Sequence, residues 1–282
     1  MVRQPLVSII IPTYNRAYII GIAIQSILDQ SYDNWELIII DDGSSDNTKD
    51  FVGSFNDARI TYAHQTNKGA GAARNCGLTL ARGELIGYLD SDNELRPEYI
   101  ATMVRWFRKY PLAVFGLPRS YRTKELYENG KLVQTIDDSS DLPPTPTVKD
   151  IFMWKFHVDT NGFMHHRKTY EAGIQWDETL AALEDWDIAM TLGQHYPKGF
   201  LYVPEVLVNY HQRYGGDGIV SRHSYGDWAP IFEQIYQKHK DDELLRGQTW
   251  YPDRVHKWQR LQKEFEAGKL PPYYQYYFRT QS

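Results

Sequence analysis

The sequence has almost no cysteine. Cys76 is the only one in 282 residues, so neither an intrachain disulfide framework nor a zinc site built on several thiolates can form. Long apolar runs are missing too. The stretch Leu6–Ile11 ends at Pro12 and is too short for a bilayer span or a signal-peptide core. Positive charge is not in excess. Thirty-one Lys and Arg against 36 Asp and Glu leave a net charge of -5. Nothing global then attracts a phosphate backbone, which argues against nucleic acid as a partner. Charged residues at 24% and hydrophobic residues at 42% exclude low-complexity disorder. No internal repeat is visible. These absences predict a cytoplasmic globular protein with a sizeable core. What the chain has in abundance is aromatic side chains, 14% of the total, with 21 Tyr and 8 Trp. Such rings suit sugar-like ligands and equally suit large α/β cores.

Strand and helix signals alternate from Leu6 to Gly116. Leu6–Ile11, Trp35–Ile40, Ile60–Ala63 and Leu85–Leu89 read as buried strands, because near-continuous β-branched runs mark central parallel strands. Ile19–Leu28, Asp46–Phe55, Ala70–Ala81 and Pro97–Tyr110 read as helices between them, with Asp46 or Asn47 available as a cap. Leu112–Gly116 closes the series. Such βαβ repetition predicts a mostly parallel, Rossmann-like α/β sheet flanked by helices. Ser120–Val148 is polar and breaks the pattern, with Asp137–Thr147 a loop by composition. Asp185–Leu192 reads as a helix, and Phe200–Val203 and Val206–Tyr210 as strands. The expected organisation is a catalytic domain over 1–224, with halves 1–116 and 117–224, and a helical, aromatic extension over 225–282.

Ligands of an open parallel sheet bind outside the carboxyl ends of its strands. The residues that follow each strand are therefore the candidates: Pro12, Thr13, Tyr14 and Arg16; Asp41 and Asp42; Lys68 and Arg74; Asp90, Ser91 and Asp92. Together they offer a ring, cations and carboxylates, a set that suits a nucleoside diphosphate held with a metal. Asp90 and Asp92, one residue apart on a turn, can face one hard cation such as Mg²⁺ or Mn²⁺, and the same residue types also favour plain turns. Gly69–Arg74 carries glycines as dinucleotide loops do, but lacks the third glycine and does not follow the first strand. Small residues packing a helix close to the sheet explain it better. Glu184 and Asp185 open an apolar helical run. Acidic residues are at home at a helix N-terminus, and one there can also serve as a general base. Trp186 and Trp176 offer rings for a sugar face or for the core.

Taken in order and spacing, Val7–Arg16, Ile39–Asp46, Asn67-Lys68-Gly69 with Ala73-Arg74-Asn75 and Gly77, Asp90-Ser91-Asp92 and Glu184–Asp187 form one pattern. The chain resembles the inverting glycosyltransferases of family two, which have the GT-A fold. The resemblance covers about the first two hundred residues. It implies that Pro12, Thr13, Tyr14 and Arg16 frame base and ribose, that Asp42 binds the base, usually uracil, and that Lys68 and Arg74 lie near base or phosphates. It places Asp90 and Ser91 at ribose or donor sugar, Asp92 on a Mn²⁺ or Mg²⁺ ion, Asp185 as base and Glu184 beside it. His211, as a further metal or diphosphate contact, and Arg213 occur in the reverse of the family's usual order. Trp186, Asn161 and Arg213 are expected toward the sugars. Tyr214–Gly218 is expected to be a lid.

The implied partners are a nucleotide-diphosphate sugar, most often UDP-linked, and a glycan or lipid-linked acceptor. The tail Pro271–Phe278 reads first as packing on the catalytic domain or a partner subunit, and second as a peripheral contact with a lipid-linked acceptor at the inner face of a membrane; a homo-oligomer is compatible with the chain. The aromatic, His-containing stretch Trp154–His166 reads either as acceptor lining or as a buried strand. Two other classes compete. A sugar nucleotidyltransferase would need a glycine-rich loop after the first strand, where this chain has Pro-Thr-Tyr-Asn-Arg. A silent nucleotide-sugar binder would not need intact Asp90, Asp92 and Asp185.

Overall fold

The computed structural model describes residues 4–129, 131–137, 146–153, 155, 158–214, 224–245 and 250–270. The strands are β1 (Val7–Thr13), β2 (Trp35–Asp41), β3 (Ile60–His64), β4 (Leu85–Tyr88), β5 (Glu94–Leu95), β6 (Phe115–Glu128), β7 (Lys131–Asp137), β8 (Met164–His166) and β9 (Phe200–Tyr214). The helices are α1 (Ile20–Leu28), α2 (Thr48–Gly53), α3 (Ala70–Leu80), α4 (Tyr99–Lys109), α5 (Val148–Phe152), α6 (Lys168–Glu171), α7 (Glu184–His195), α8 (Tyr225–His239) and α9 (Trp250–Glu266). Two compact units result. The first comprises Met1–Tyr121 with Leu142–Tyr210, and the second Arg122–Asp141 with His211–Ser282.

In the first unit β3, β2, β1 and β4 lie side by side and run parallel. Every residue of β2 and all but one of β1 are buried, as expected of strands covered on both faces. One face packs against Ala23, Ile24 and Ile27 of α1 and Met103 and Phe107 of α4. On α3, a Cβ at Gly77 would come within 2.5 Å of Ile10 Cγ2. The small residues of that helix thus let it lie close to the sheet, as the sequence suggested.

Beyond β4 the sheet changes character. β8 pairs antiparallel with β4, β6 with β8, and β5 with β9. The fold class stands, with a parallel half and an antiparallel half. Leu112–Gly116 does not close a parallel series, because β6 begins at Phe115 and runs antiparallel to β8. The polar break contains a hairpin, as β7 pairs with Thr123–Glu128 of β6 inside the second unit. Almost every residue of β7 is exposed, so no buried alternation advertised it. Phe200–Val203 and Val206–Tyr210 are parts of one strand that continues through the exposed Pro204. Proline lacks a ladder donor and reads as a break.

The second unit explains some of the aromatic excess. Trp228 stacks on Trp258 at 5.7 Å, Tyr236 on Tyr251 at 3.9 Å, and Tyr225 lies against Phe265 at 5.5 Å, all between α8 and α9. Among the described residues no helix is long and apolar enough to cross a membrane. The tail Pro271–Phe278, residues 215–218 of the expected lid, residues 138–145 of the expected loop, Trp154 and His157 lie outside the described residues.

The packing of α3 on β1 yields a test. Gly77→Ala should cost about 1–3 kcal/mol, the usual size of overpacking. Gly53→Ala, where nothing lies within 4 Å, should be neutral or slightly stabilising. Denaturant titration of both variants measures this, and equal stabilities would refute the tight contact.

Candidate active site

Three loops at the carboxyl ends of β1, β2 and β3 are sewn together by short polar side chains. Asn15 sits in the left-handed region, with φ 52°, a conformation asparagine tolerates better than most residues. Its Oδ1 accepts from Ser45 N at 2.7 Å, and its own N–H donates to Ser44 Oγ at 2.7 Å. Arg16 N donates to Thr48 Oγ1 at 3.1 Å. Asp41 accepts from Ser44 N at 2.7 Å and from Tyr62 Oη at 2.6 Å. Asp42 is buried and accepts from Gln65 Nε2 at 2.8 Å, Lys68 N at 2.9 Å and Gly69 N at 2.8 Å. Asp42, which the resemblance assigns to a base, thus also holds the loop that carries Lys68. Lys68 and Tyr14 are exposed, Pro12 is half-buried, and Thr13 and Ser91 are buried. The buried Thr13 Oγ1 has no hydrogen-bond partner.

Deeper lies a charge cluster. Arg74 is 4% exposed; its Nη1 donates to Glu184 Oε1 at 2.8 Å and its Nη2 to Asp90 Oδ1 at 3.0 Å. One guanidinium therefore ties the end of β4 to the start of α7. Asn161 Oδ1 accepts from Asp90 N at 2.8 Å, and its Nδ2 donates to Asp159 Oδ1 at 2.7 Å and Asp90 Oδ2 at 3.2 Å. Asp185 Oδ1 accepts from Trp186 N at 2.8 Å in the first turn of α7. The residue before that helix, Leu183, is left-handed with φ 63°, a strained conformation for leucine of the kind that gathers at functional sites.

Burial and the charges of Glu184 and Asp159 push the Asp185 carboxyl well above the ordinary carboxylate range, against the pull of Arg74. Asp90 is pushed up to about 6, by burial first, with Asp92 and Asp159 adding to it and Arg74 opposing. Buried His165 is pushed down to about 4, by burial, and is neutral at pH 7. It sits between Tyr88 Oη, 2.8 Å from its Nε2, and Thr169 Oγ1, 2.7 Å from its Nδ1, which makes it a satisfied core histidine.

Asp92 Oδ2 lies 3.3 Å from Arg16 Nη1, and its Oδ1 accepts from Asn93 Nδ2 at 3.1 Å. Among the described residues no three ligating side chains converge on one point. A hard cation that keeps most of its shell for phosphate and water oxygens needs only one or two carboxylates. Both Asp90 oxygens are engaged by Arg74 and Asn161, and both Asp92 oxygens by Arg16 and Asn93.

The expectation for Trp186 shifts. Trp186 is 2% exposed and its indole N–H donates to Ile151 O at 3.1 Å. It is core and offers no face to a sugar. His211 and Arg213 lie in the second unit, where His211 Nδ1 is 2.9 Å and Arg213 Nε 3.5 Å from the Glu125 carboxylate. Asp159 and Glu125 were not anticipated. Asp159 opens an Asp-x-Asn turn, a weak local signal.

The fold is shared with solved glycosyltransferases. The chain superimposes on residues 1–349 of TarS from S. aureus, solved with UDP-GlcNAc, with a TM-score of 0.66 and 19% identity, covering 92% of this chain and 72% of that one. It also superimposes on the mannosyltransferase PcManGT of Pyrobaculum calidifontis, solved with GDP-Man and Mn²⁺, with a TM-score of 0.56 and 17% identity over 96% of this chain and 78% of that one. These define a GT-A architecture.

Sequence carries the assignment further. Residues 8–171 match the model of glycosyl transferase family 2. A protein of Escherichia coli (strain K12), provisionally named as the colanic acid biosynthesis glycosyl transferase WcaA, is 31% identical over 245 residues, 86% of this chain and 84% of its own. The chain belongs to glycosyl transferase family 2. Over 89 residues, 31% of this chain and 35% of the other, it is 49% identical to the Escherichia coli UDP-Glc:alpha-D-GlcNAc-diphosphoundecaprenol beta-1,3-glucosyltransferase WfgD.

Removing Arg74 should expose what it compensates. Arg74→Met should cost about 3–5 kcal/mol, the usual loss when one partner of a buried ion pair goes. Without the cation the carboxylates bind protons more tightly in the folded than in the unfolded chain. The variant is therefore relatively favoured at low pH and loses ground as pH rises through the folded pKa. Denaturant titrations should show a smaller cost at pH 5 than at pH 8. A cost independent of pH would contradict this account.

Proposed function

We propose that this enzyme transfers a sugar from a nucleotide-diphosphate sugar, UDP-linked, to a hydroxyl of a glycan or lipid-linked acceptor, in one displacement that inverts the anomeric carbon. The observation that carries the reading is Asp185. It is a half-buried carboxylate in the first turn of a helix, with its proton affinity raised beside Glu184 and Asp159. A base of raised pKa is a stronger proton acceptor at neutral pH. Asp185 takes the proton of the acceptor hydroxyl as its oxygen attacks. Glu184, held by Arg74, positions it. The loops of Pro12–Arg16 and Asp41–Asp42, with Lys68, form the nucleotide side, and Asp90 and Ser91 face the ribose or donor sugar. Asp92 is the residue that would hold Mn²⁺ or Mg²⁺, which neutralises charge on a departing diphosphate. The reading is supported by the UDP-glucose named for WfgD, the UDP-GlcNAc bound to TarS and the Mn²⁺ bound to PcManGT. The diphosphoundecaprenol in the name of WfgD supports a lipid-linked acceptor and work at the cytoplasmic membrane surface.

Asp185→Asn should keep nucleotide binding and lower transfer by about a hundred-fold or more, the size of general-base contributions. Normal transfer by that variant would reject the assignment. The wild-type rate should rise with pH through a limb above the ordinary carboxylate range, because Asp185 works only when deprotonated. Glu184→Gln removes a negative neighbour and should move that limb to lower pH. An unmoved limb would mean another group governs it.

A thermal-shift panel of UDP, GDP, CDP and dTDP, with and without Mn²⁺, tests the donor. UDP should stabilise most, and only with the metal, since a ligand that binds the native state raises its stability. Asp92→Ala should abolish the Mn²⁺-dependent part. A metal-independent shift, or one retained in that variant, would overturn the role of Asp92.

A further inference from the structure

Arg74 is bound in an unusual way. Its two terminal nitrogens each make one bond, to carboxylates on different elements, while its buried Nε has no partner. Two such bonds leave the guanidinium free to tilt about the line between them. The third constraint is a ring. The guanidinium carbon lies 4.7 Å from the centroid of Trp176, which is 3% exposed. A desolvated cation over an indole face gains up to about 2 kcal/mol.

The ring is itself anchored to the helix that carries Arg74. The amide of Asn75 pairs with the backbone of Trp176 in both directions: Nδ2 donates to Trp176 O at 2.9 Å, and Oδ1 accepts from Trp176 N at 3.0 Å. Nδ2 also donates to Glu178 Oε1 at 2.8 Å. On the same helix a Cβ at Gly71 would lie 3.1 Å from Asp177 O, so the segment and α3 approach closely. From the other side Tyr88 meets Trp176 edge-on at 4.9 Å. Adjacent residues of α3 thus divide the work: Arg74 reaches the carboxylates and Asn75 holds the ring on which Arg74 rests.

We propose that Trp176, stapled to α3 by Asn75, is a positioning residue whose ring fixes the plane of the Arg74 guanidinium so that it serves Asp90 and Glu184 at once. The consequence for turnover rests on the proposed transferase reading; the geometric role does not.

Two readouts separate these. In kinetics, Trp176→Leu and Asn75→Ala should each lower kcat about tenfold, in line with a desolvated cation–ring contact, with the donor KM little changed. Trp176→Phe, which keeps a ring face, should retain most of the rate. In an Arg74→Lys background Trp176→Leu should cause no further loss, because coupled residues are not additive. The same fractional loss in both backgrounds, or a Phe variant as poor as Leu, would mean a merely structural role and overturn the proposal. In NMR of arginine-labelled protein, with the signal assigned through Arg74→Lys, the Arg74 Nε–H should be ring-shifted and slow to exchange in wild type and Trp176→Phe. It should lose both properties in Trp176→Leu and Asn75→Ala. An unchanged signal in Trp176→Leu overturns the positioning role whatever the kinetics. A signal that responds as expected, while Asp185→Asn transfers normally, overturns the transferase reading of Asp185 alone.

Discussion

A single buried cation organises the site. Arg74 bonds to Asp90, 16 residues on, and to Glu184, 110 residues on. It therefore closes a long loop of chain and compensates charge in one act. Asp90 and Asp185 lie in a poorly solvated place with other carboxylates near them, and Arg74 is the cation that opposes the rise in their proton affinity. The compensation is incomplete: Asp90 and Asp185 stay above the ordinary carboxylate range despite the cation. Burial is the first cause of both shifts, and the neighbouring carboxylates add to it.

Around this ion the loops are fixed by hydrogen bonds to their own backbone. Asn15, Asp41 and Asp42 each spend their side-chain oxygens on neighbouring N–H or O–H groups. Loops built this way need no ligand to hold their shape, and a ligand that arrives loses less in ordering them. The same economy limits what these residues offer. Asp42 already accepts three hydrogen bonds, so it stands as part of a preformed rim more than as a free carboxylate.

How much of this was legible follows from where the signals live. The parallel strands announced themselves because both faces are buried, which makes Val7–Ile11 apolar but for Ser8 and Leu37–Ile40 an unbroken apolar run. The antiparallel half did not: β7 is exposed, β8 has three residues, and β9 runs through a proline. Within the site, Asp90 with Asp92 and Glu184 with Asp185 were legible because the members of each pair lie close together in sequence. The bond of Asn75 to Trp176 spans 101 residues and leaves no local trace. Trp186, expected toward the sugars, lies in the core. Helix α7 is buried on more than one face, at Trp186, Asp187, Ile188, Ala189, Met190 and Leu192 among others, so periodicity alone does not separate a core ring from one that faces a ligand.

The aromatic excess has the same resolution. Trp176 and Trp186 are enclosed, and Trp228, Trp258, Tyr236 and Tyr251 stack between two helices of the second unit. On the loop after β1, Tyr14 is 38% and Tyr18 66% exposed, and Tyr18 Oη accepts from Arg16 Nη1 at 3.3 Å. A ring in such a protein can therefore act on chemistry without touching a ligand. Under Arg74 it replaces water on one face of a charged group, and water is the competitor that would otherwise let that group reorient. Excluding it converts two separate hydrogen bonds into a fixed plane, and a fixed plane is what keeps Asp90 and Glu184, two carboxylates from distant parts of the chain, in register with one another.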